Sequence, residues 1–161
     1  MSNRFSGVIK LIKKAPLRIQ PFLLTKIFSS KVKFAATTGV KIQSITHHQV
    51  VIALRNNKKV QNHIGGIHAV AAAMLAESTT GIVFGMNVAD ESLPLLKSMK
   101  IEYKRRIKGA LVAVAELNEE QCLYIKSTDK GTLVIPVKIT DESGEEPIIC
   151  HMEWAWVNKK R

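Results

Sequence analysis

Between residues 67 and 85 the chain carries a single Asp, Glu, Lys or Arg, and that residue is Glu77. The stretch is rich in alanine and small side chains, and no strand pattern competes with a helix there. Ile67, Val70, Ala71, Met74, Leu75 and Ser78 recur at the spacing of one buried helical face. Alanines keep such a helix thin, so other backbone can approach it closely. It is also apolar over a wide arc, so it needs cover on more than one side. At about 100° per residue, Glu77 lies at the edge of the stripe beside Val70, Ala73 and Met74. Gly81 and Gly85 are expected to mark the decay of the helix. A fold built on this sequence has to wrap one helix.

The carboxylate is conspicuous because no acidic residue precedes it. Burial without a partner raises a carboxyl pKa or costs stability, and perturbed carboxyls gather at functional sites. The structural reading is that Glu77 pairs with a buried Arg or caps a loop. Both readings are open from the residues alone.

The remaining patterns supply the cover. Phe5, Val8, Ile9 and Ile12 have helical spacing opposite Lys10, Lys13 and Lys14, and Pro16 stops that helix. A second helical patch covers residues 21–28. From Gly39 to Arg55 the texture is β-rich, with Val40, Ile42 and Ile45 separated from Val50, Ile52 and Leu54 by Thr46-His47-His48, which predicts a hairpin. After a loop over residues 87–94, about four strands follow. Met99, Ile101 and Tyr103 alternate with charged residues, and residues 110–115 suit a covered strand. Asn118 caps a short helix, Leu133 to Ile139 forms one strand in which Pro136 implies an edge, bulge or early-strand location, and Ile148, Cys150, Met152, Trp154 and Trp156 line one face of the last strand. One long helix with antiparallel strands is an α+β arrangement. The expected division is an N-terminal helical extension over residues 1–38 and a main domain over residues 39–161.

Composition narrows the function classes. With 46% hydrophobic and 23% charged residues, wholesale disorder is excluded. Residues 1–76 hold 12 Lys or Arg and no acid, while residues 77–161 hold 12 basic and 13 acidic residues, so the net charge of +11 is an N-terminal property. That suggests a polyanionic partner: nucleic acid, an anionic membrane surface or a phosphate-bearing small molecule. A solvated basic face is the plain alternative. Aromatic content of 6% without aromatic residues interleaved in basic runs argues against nucleic acid. The basic start is similar to an organellar transit peptide, but it is richer in Lys than Arg and reads as part of the mature protein. Cys122 and Cys150 lack metal-ligand spacing and read as free thiols in a reducing, cytoplasmic setting.

Asn62, Gly65 and His68, with Glu77 nine positions after the histidine in the context Leu75-Ala76-Glu77, resemble the Asn-x-x-Gly-x-x-His-Gly-Gly pattern of the phenylacetate-pathway branch of hotdog-fold acyl-CoA thioesterases. Ile101-Glu102-Tyr103-Lys104-Arg105 followed by Gly109-Ala110 is similar to a second feature of that branch. Within it, the chain is most similar to a bacterial family of uncharacterised hotdog domains. The resemblance implies a hotdog fold, an antiparallel sheet wrapped around one long central helix, and thioester hydrolysis without a metal or redox cofactor. It implies that Glu77 activates water or attacks directly, that the amide of Ala69 polarises the carbonyl, and that Asn62 and His68 position the substrate. The family's Gly-Gly is Ala69-Val70 here, which crowds the backbone while keeping both amides.

Geometry adds a condition to that reading. Eight residues separate Ala69 from Glu77, roughly 12 Å along a helix, while the reacting carbon must lie within about 3 Å of both groups. One chain therefore cannot supply both, and a two-fold dimer, or a tetramer built from it, is expected. Val70 and Ser98 are expected as further substrate contacts. Arg55, Lys58, Lys59, Lys104, Arg105, Arg106 and Lys108 are expected to receive the phosphates of coenzyme A. An acyl-carrier thioester is the alternative substrate, a non-catalytic acyl-CoA or fatty-acyl binding domain the alternative function, and peripheral membrane contact through the N-terminal helices a further expectation.

Overall fold

The computed structural model describes residues 3–159. Three helices come first, α1 (Arg4–Ile12), α2 (Gln20–Lys31) and α3 (Lys33–Thr38), followed by the hairpin β1 (Lys41–Ile45) and β2 (Gln49–Leu54). The central helix α4 (Ala69–Gly85) precedes β3 (Ser92–Tyr103), β4 (Leu111–Glu116), α5 (Glu119–Ser127), β5 (Gly131–Ile135), β6 (Val137–Asp141) and β7 (Ile148–Asn158).

Pro136 organises the sheet. The stretch expected to be one strand is two, because proline has no amide to donate to a ladder. Ile135 pairs with Met152 of β7, whereas Val137 pairs with Ala115 of β4. The chain thus passes from the β3-β7-β5 ladder into the β1-β2-β4-β6 ladder at a single residue. All neighbours are antiparallel, and the two ladders form one curved surface around α4, which packs on β2, β4, β6, β7 and β3. This is the hotdog arrangement.

Along β7, Ile148, Met152, Trp154 and Trp156 are buried toward the helix, as their alternation predicts. Phe84 of α4 meets both indoles, at 5.6 Å from Trp154 and 5.8 Å from Trp156. The Trp154 indole N–H donates to Thr80 Oγ1 at 3.0 Å. Thr79 and Thr80 return their own hydroxyls to the carbonyls of Leu75 and Ala76, so these buried polar groups are satisfied.

The helical lead closes the open side of the roll. Thr25 of α2 accepts the Ile42 amide of β1 at 2.9 Å. Asn3 caps α1 through the Ser6 amide, and its own amide donates to the carbonyls of Gly85 and Val88, satisfying exposed acceptors at the end of α4. Ile9, Ile12, Leu24 and Ala35 belong to the same core as the sheet.

Three local expectations are corrected. Helix α4 does not decay at Gly81: it runs to Gly85, and Gly81 sits in its interior because a Cβ there would lie 2.8 Å from the Trp154 ring. Val70 is not on the buried face. It is 56% exposed, and Ile67 precedes the helix in a bridge with Gln61. The strand after α4 starts at Ser92, before Pro94, within the stretch expected to be a loop; with the split at Pro136, five strands follow the helix rather than four. Proline is tolerated in β3 because that strand is at the edge of the sheet.

The two helix glycines should respond oppositely to alanine. Gly81→Ala drives a methyl into an indole held by its hydrogen bond and should destabilise by about 1–3 kcal/mol. In Gly85→Ala the new carbon meets only Phe5, at 4.0 Å, and should gain a few tenths to about 1 kcal/mol from helix propensity. Thermal melts of both variants check this.

Candidate active site

The N-terminus of α4 is assembled by the loop before it. Asn62 Oδ1 accepts the amides of Ile64 and Gly66, both at 3.1 Å, and its backbone amide bonds the Gly66 carbonyl. The motif asparagine therefore shapes the turn that aims the helix. Gly65 takes φ 76° within it, a left-handed conformation that favours glycine. His68 is the N-cap, and its Nδ1 accepts the Val70 amide at 3.1 Å. That bond places the proton of the neutral imidazole on Nε2, on an exposed side chain. The His68 carbonyl takes the amides of Ala71 and Ala72. Among the described residues, the amide left without an acceptor in this first turn is that of Ala69, at the positive end of the helix dipole.

Glu77 lies two turns further along, half-buried, where two apolar pockets meet. The larger, about 640 Å³, is bounded by Phe5 and Val8 of α1, Ile27 and Phe28 of α2, Gly81 and Gly85 of α4, and Trp154, with Arg4 and Lys31 also in its wall. The smaller, about 380 Å³, extends toward the helix start past Ala73, Val70 and Met99. Burial pushes the Glu77 carboxyl above its usual range, opposed by the Ser78 hydroxyl 3.5 Å from Oε2. Among the described residues it forms no ion pair, so the buried-Arg reading does not hold.

Edge strand β3 forms the opposite wall. Its ladder with β7 shifts register between Leu96 and Ser98. Leu96 and Met99, three apart, can therefore both face α4, where an unbroken strand would turn one of them outward. Ser98 pairs opposite Glu153 and lines neither pocket. Tyr103 donates its hydroxyl to the Ala69 carbonyl at 2.8 Å, fixing the helix start to the strand. Sequence reasoning gave Tyr103 no role, although its inward alternation and its place in the second motif were the available signals. The Phe5, Val8 and Phe28 wall was likewise unassigned residue by residue.

The expected phosphate ligands separate into two groups. Arg55, Lys58 and Lys59 are exposed on the loop leading to the helix, and Arg106 reaches the same loop by donating to the Ile64 carbonyl. Lys108 is exposed, and Lys104 pairs with Glu102. Arg105 is committed elsewhere: its guanidinium holds the solvent-inaccessible Asp141 carboxylate through two bonds, at 2.8 and 3.1 Å, and also contacts Glu145 and Ser143. The Lys108 amide and Ser143 complete the shell around Asp141. Hydrogen bonds from Arg105 hold the Asp141 carboxyl well below the usual carboxylate range.

No cluster of three or more metal-binding side chains occurs among the described residues. Cys122 is fully buried, and burial raises its thiol pKa; Cys150 is half-buried, its thiol pushed up to about 11 by burial, and both are free. No helix among the described residues is long and apolar enough to cross a membrane.

An antiparallel sheet rolled around one long central helix defines a protein of the hotdog fold. Residues 22–157 match a family model described as a domain of unknown function, DUF4442, and the chain belongs to that family. Solved structures agree on the fold. A Pseudomonas aeruginosa protein of unknown function, described as a probable thioesterase, superposes with a TM-score of 0.77 at 22% identity, over 85% of this chain and 95% of that one. A Haemophilus influenzae thioesterase gives 0.67 at 13% identity, over 84% and 88%. A Staphylococcus aureus thioesterase gives 0.66 at 20% identity, over 78% and 98%. A search of curated proteins finds no match.

The Arg105–Asp141 pair is a stability element with a defined pH window. Because the folded Asp141 pKa is depressed, the pair's contribution is complete above about pH 4 and is lost as pH falls through the folded value. Arg105→Ala should lower stability clearly at neutral pH by leaving the solvent-inaccessible Asp141 carboxylate without its cation. Denaturant melts should show the gap between wild type and variant narrowing as the pH is lowered below about 4.

Proposed function

We propose that the protein is an acyl-CoA thioesterase whose two active sites each combine Glu77 of one chain with the Ala69 amide of another. The observation carrying this reading is an unpaired, partly desolvated carboxyl at the meeting point of two apolar pockets. Glu77 takes a proton from water as its oxygen attacks the thioester carbonyl. The Ala69 amide, aided by the helix dipole, receives the developing oxyanion. Collapse of the tetrahedral intermediate breaks the C–S bond, and the proton held by Glu77 passes to the departing thiolate.

Pairing of two β3 edges would supply the second chain. That strand bonds β7 on one side only, and Met99, Tyr103 and Val70 are exposed beside the smaller pocket. An exposed apolar edge is a template for another strand. The S. aureus thioesterase structures include alanine substitutions of a glutamine and a glutamate, fifteen positions apart in that protein, the separation of Asn62 and Glu77 here. Asn62 and His68 shape and cap the helix start, with His68 Nε2–H available as a donor. Arg55, Lys58 and Arg106 are placed to meet coenzyme A phosphates around that loop.

The larger pocket takes the acyl group. Glu77, Gly81 and Gly85 line it one turn apart, so its length from the acid is roughly 12 Å, room for about nine carbons at about 1.3 Å each. A second reading is non-catalytic acyl-thioester binding, favoured by one observation: the Val70 amide is already taken by His68, leaving one free donor where two would serve better.

Glu77→Gln and Glu77→Ala should each lower kcat about 10²–10⁴-fold on acyl-CoA substrates. Wild-type kcat/KM should rise with pH through the raised Glu77 pKa and then level off, since the base must be ionised. Because that pKa is higher folded than unfolded, the charged form opposes folding above it. Glu77→Gln should therefore melt higher than wild type at neutral pH while losing turnover. Absence of turnover across an acyl-CoA panel, with binding retained, would select the second reading. Gly85→Leu should fill the pocket beyond Gly81 and shorten the preferred acyl chain by about two to four carbons, given about 1.3 Å per carbon, measured as kcat/KM across chain lengths.

A further inference from the structure

The turn between α1 and α2 presents a surface that neither the fold nor the proposed site uses. Leu17 is 82% exposed, Leu11 67%, Phe22 65% and Ile19 46%, all within one short stretch of chain. Single exposed leucines are ordinary on soluble proteins, but four large apolar side chains at one tip form a patch. The tip is ordered rather than loose. The Gln20 side-chain amide donates to the carbonyls of Lys13 and Ala15, and the Ile19 amide bonds the Pro16 carbonyl at 3.0 Å.

The charges around this patch select what covers it. Lys10, Lys13, Lys14, Arg18 and Lys26 surround it in sequence, all exposed, and none forms an ion pair among the described residues. No Asp or Glu occurs before Glu77 to offset them. A second copy of the same tip would bring like charges together, which disfavours self-association there. Nucleic acid matches the charge but leaves Leu11, Leu17 and Ile19 without partners, since base stacking needs aromatic rings. An anionic bilayer satisfies both features: its headgroups attract the cations, and its acyl boundary takes the leucines and the phenylalanine. Lys and Arg stems can lie along apolar surface while their charges remain among the phosphates.

We infer that the α1–α2 tip docks the protein on anionic membrane surfaces, with Leu11, Leu17, Ile19 and Phe22 entering the interface and Lys10, Lys13, Lys14, Arg18 and Lys26 binding headgroups. This holds whether or not the protein hydrolyses thioesters. The tip is separate from Glu77, from α4 and from the β3 edge, so its variants leave the proposed site intact.

The test is flotation of the full chain with vesicles of phosphatidylcholine alone, or mixed two to one with phosphatidylglycerol. Wild type should bind the anionic vesicles at least about tenfold more than the neutral ones, with binding falling steeply as salt rises. The triple variant Leu11→Ser, Leu17→Ser, Phe22→Ser should lose about tenfold in vesicle binding at unchanged net charge. Leu17→Asp alone, at the most exposed of these positions and outside any helix, should reduce binding clearly with no change in melting temperature. Lys13→Gln, Lys14→Gln, Arg18→Gln should weaken binding and flatten its salt dependence. Failure of wild type to float with anionic vesicles would overturn the inference. So would serine and aspartate variants that float like wild type, a change in oligomeric state caused by those variants, or oligonucleotide binding that survives loss of the apolar side chains.

Discussion

The fold depends on how closely one aromatic strand can approach one helix. Gly81 has no side chain and Thr80 offers a hydroxyl, so the Trp154 indole lies almost against the α4 backbone and is held there by a hydrogen bond. Phe84, Trp156 and Tyr124 continue the stack, with Tyr124 edge-on to Trp156 at 5.3 Å. This contact fixes the rotation of α4 inside the roll. Glu77 stands one turn before Gly81, so fixing that rotation aims the carboxyl at the seam between the sheet and the N-terminal helices rather than into the core or out to water. A bulkier residue at position 81 would act on the acid's direction as well as on stability.

The same packing creates the cost that the acid carries. A carboxyl at this seam loses solvation and forms no ion pair among the described residues, and the Ser78 hydroxyl opposes the resulting rise in its pKa. Structures tend to remove such groups unless they act, because sites that work are often locally destabilised. At the start of the helix the arrangement is opposite: Asn62, His68 and Tyr103 satisfy the loop, the Val70 amide and the Ala69 carbonyl, and among the described residues one amide is left open. The Arg105–Asp141 pair pins the segment after β3 from the far side. An unsatisfied acid and an unsatisfied donor, about 12 Å apart on one helix, are each incomplete in a single chain.

Legibility in the sequence followed the range of the interaction. The N-cap of Asn118, the β1–β2 hairpin and the inward face of β7 were readable because each depends on neighbours a few residues away. Glu77 stood out because an acid in a run of alanines contrasts with its surroundings at the same short range. What stayed hidden depended on distant partners. Gly81 looked like a helix terminator because nothing nearby announces Trp154, and Val70 fitted a buried stripe because periodicity cannot tell which side of a helix the sheet leaves open. The bulge at β3, which lets Leu96 and Met99 share a face, has no local marker. Nor does the engagement of Arg105 by Asp141, thirty-six positions away. Pro136 was read as marking an edge, bulge or early position within one strand; that it ends one strand and transfers the chain between two ladders follows only from the pairing of β4 and β7.

The central claim is that the acid and the amide act across two chains, and subunit mixing tests it directly. Ala69 is the first residue of α4 and His68 is extended, with φ −64° and ψ 140°, so Ala69→Pro removes the amide at a position where proline suits the helix. Alone, Ala69→Pro and Glu77→Ala should each be nearly inactive. Unfolded together and co-refolded, they should regain roughly a quarter of wild-type thioesterase activity, because about half the dimers are mixed and each mixed dimer has one intact site. Activity that stays at the level of the separate variants, with mixed dimers demonstrably formed, would contradict a site shared between chains.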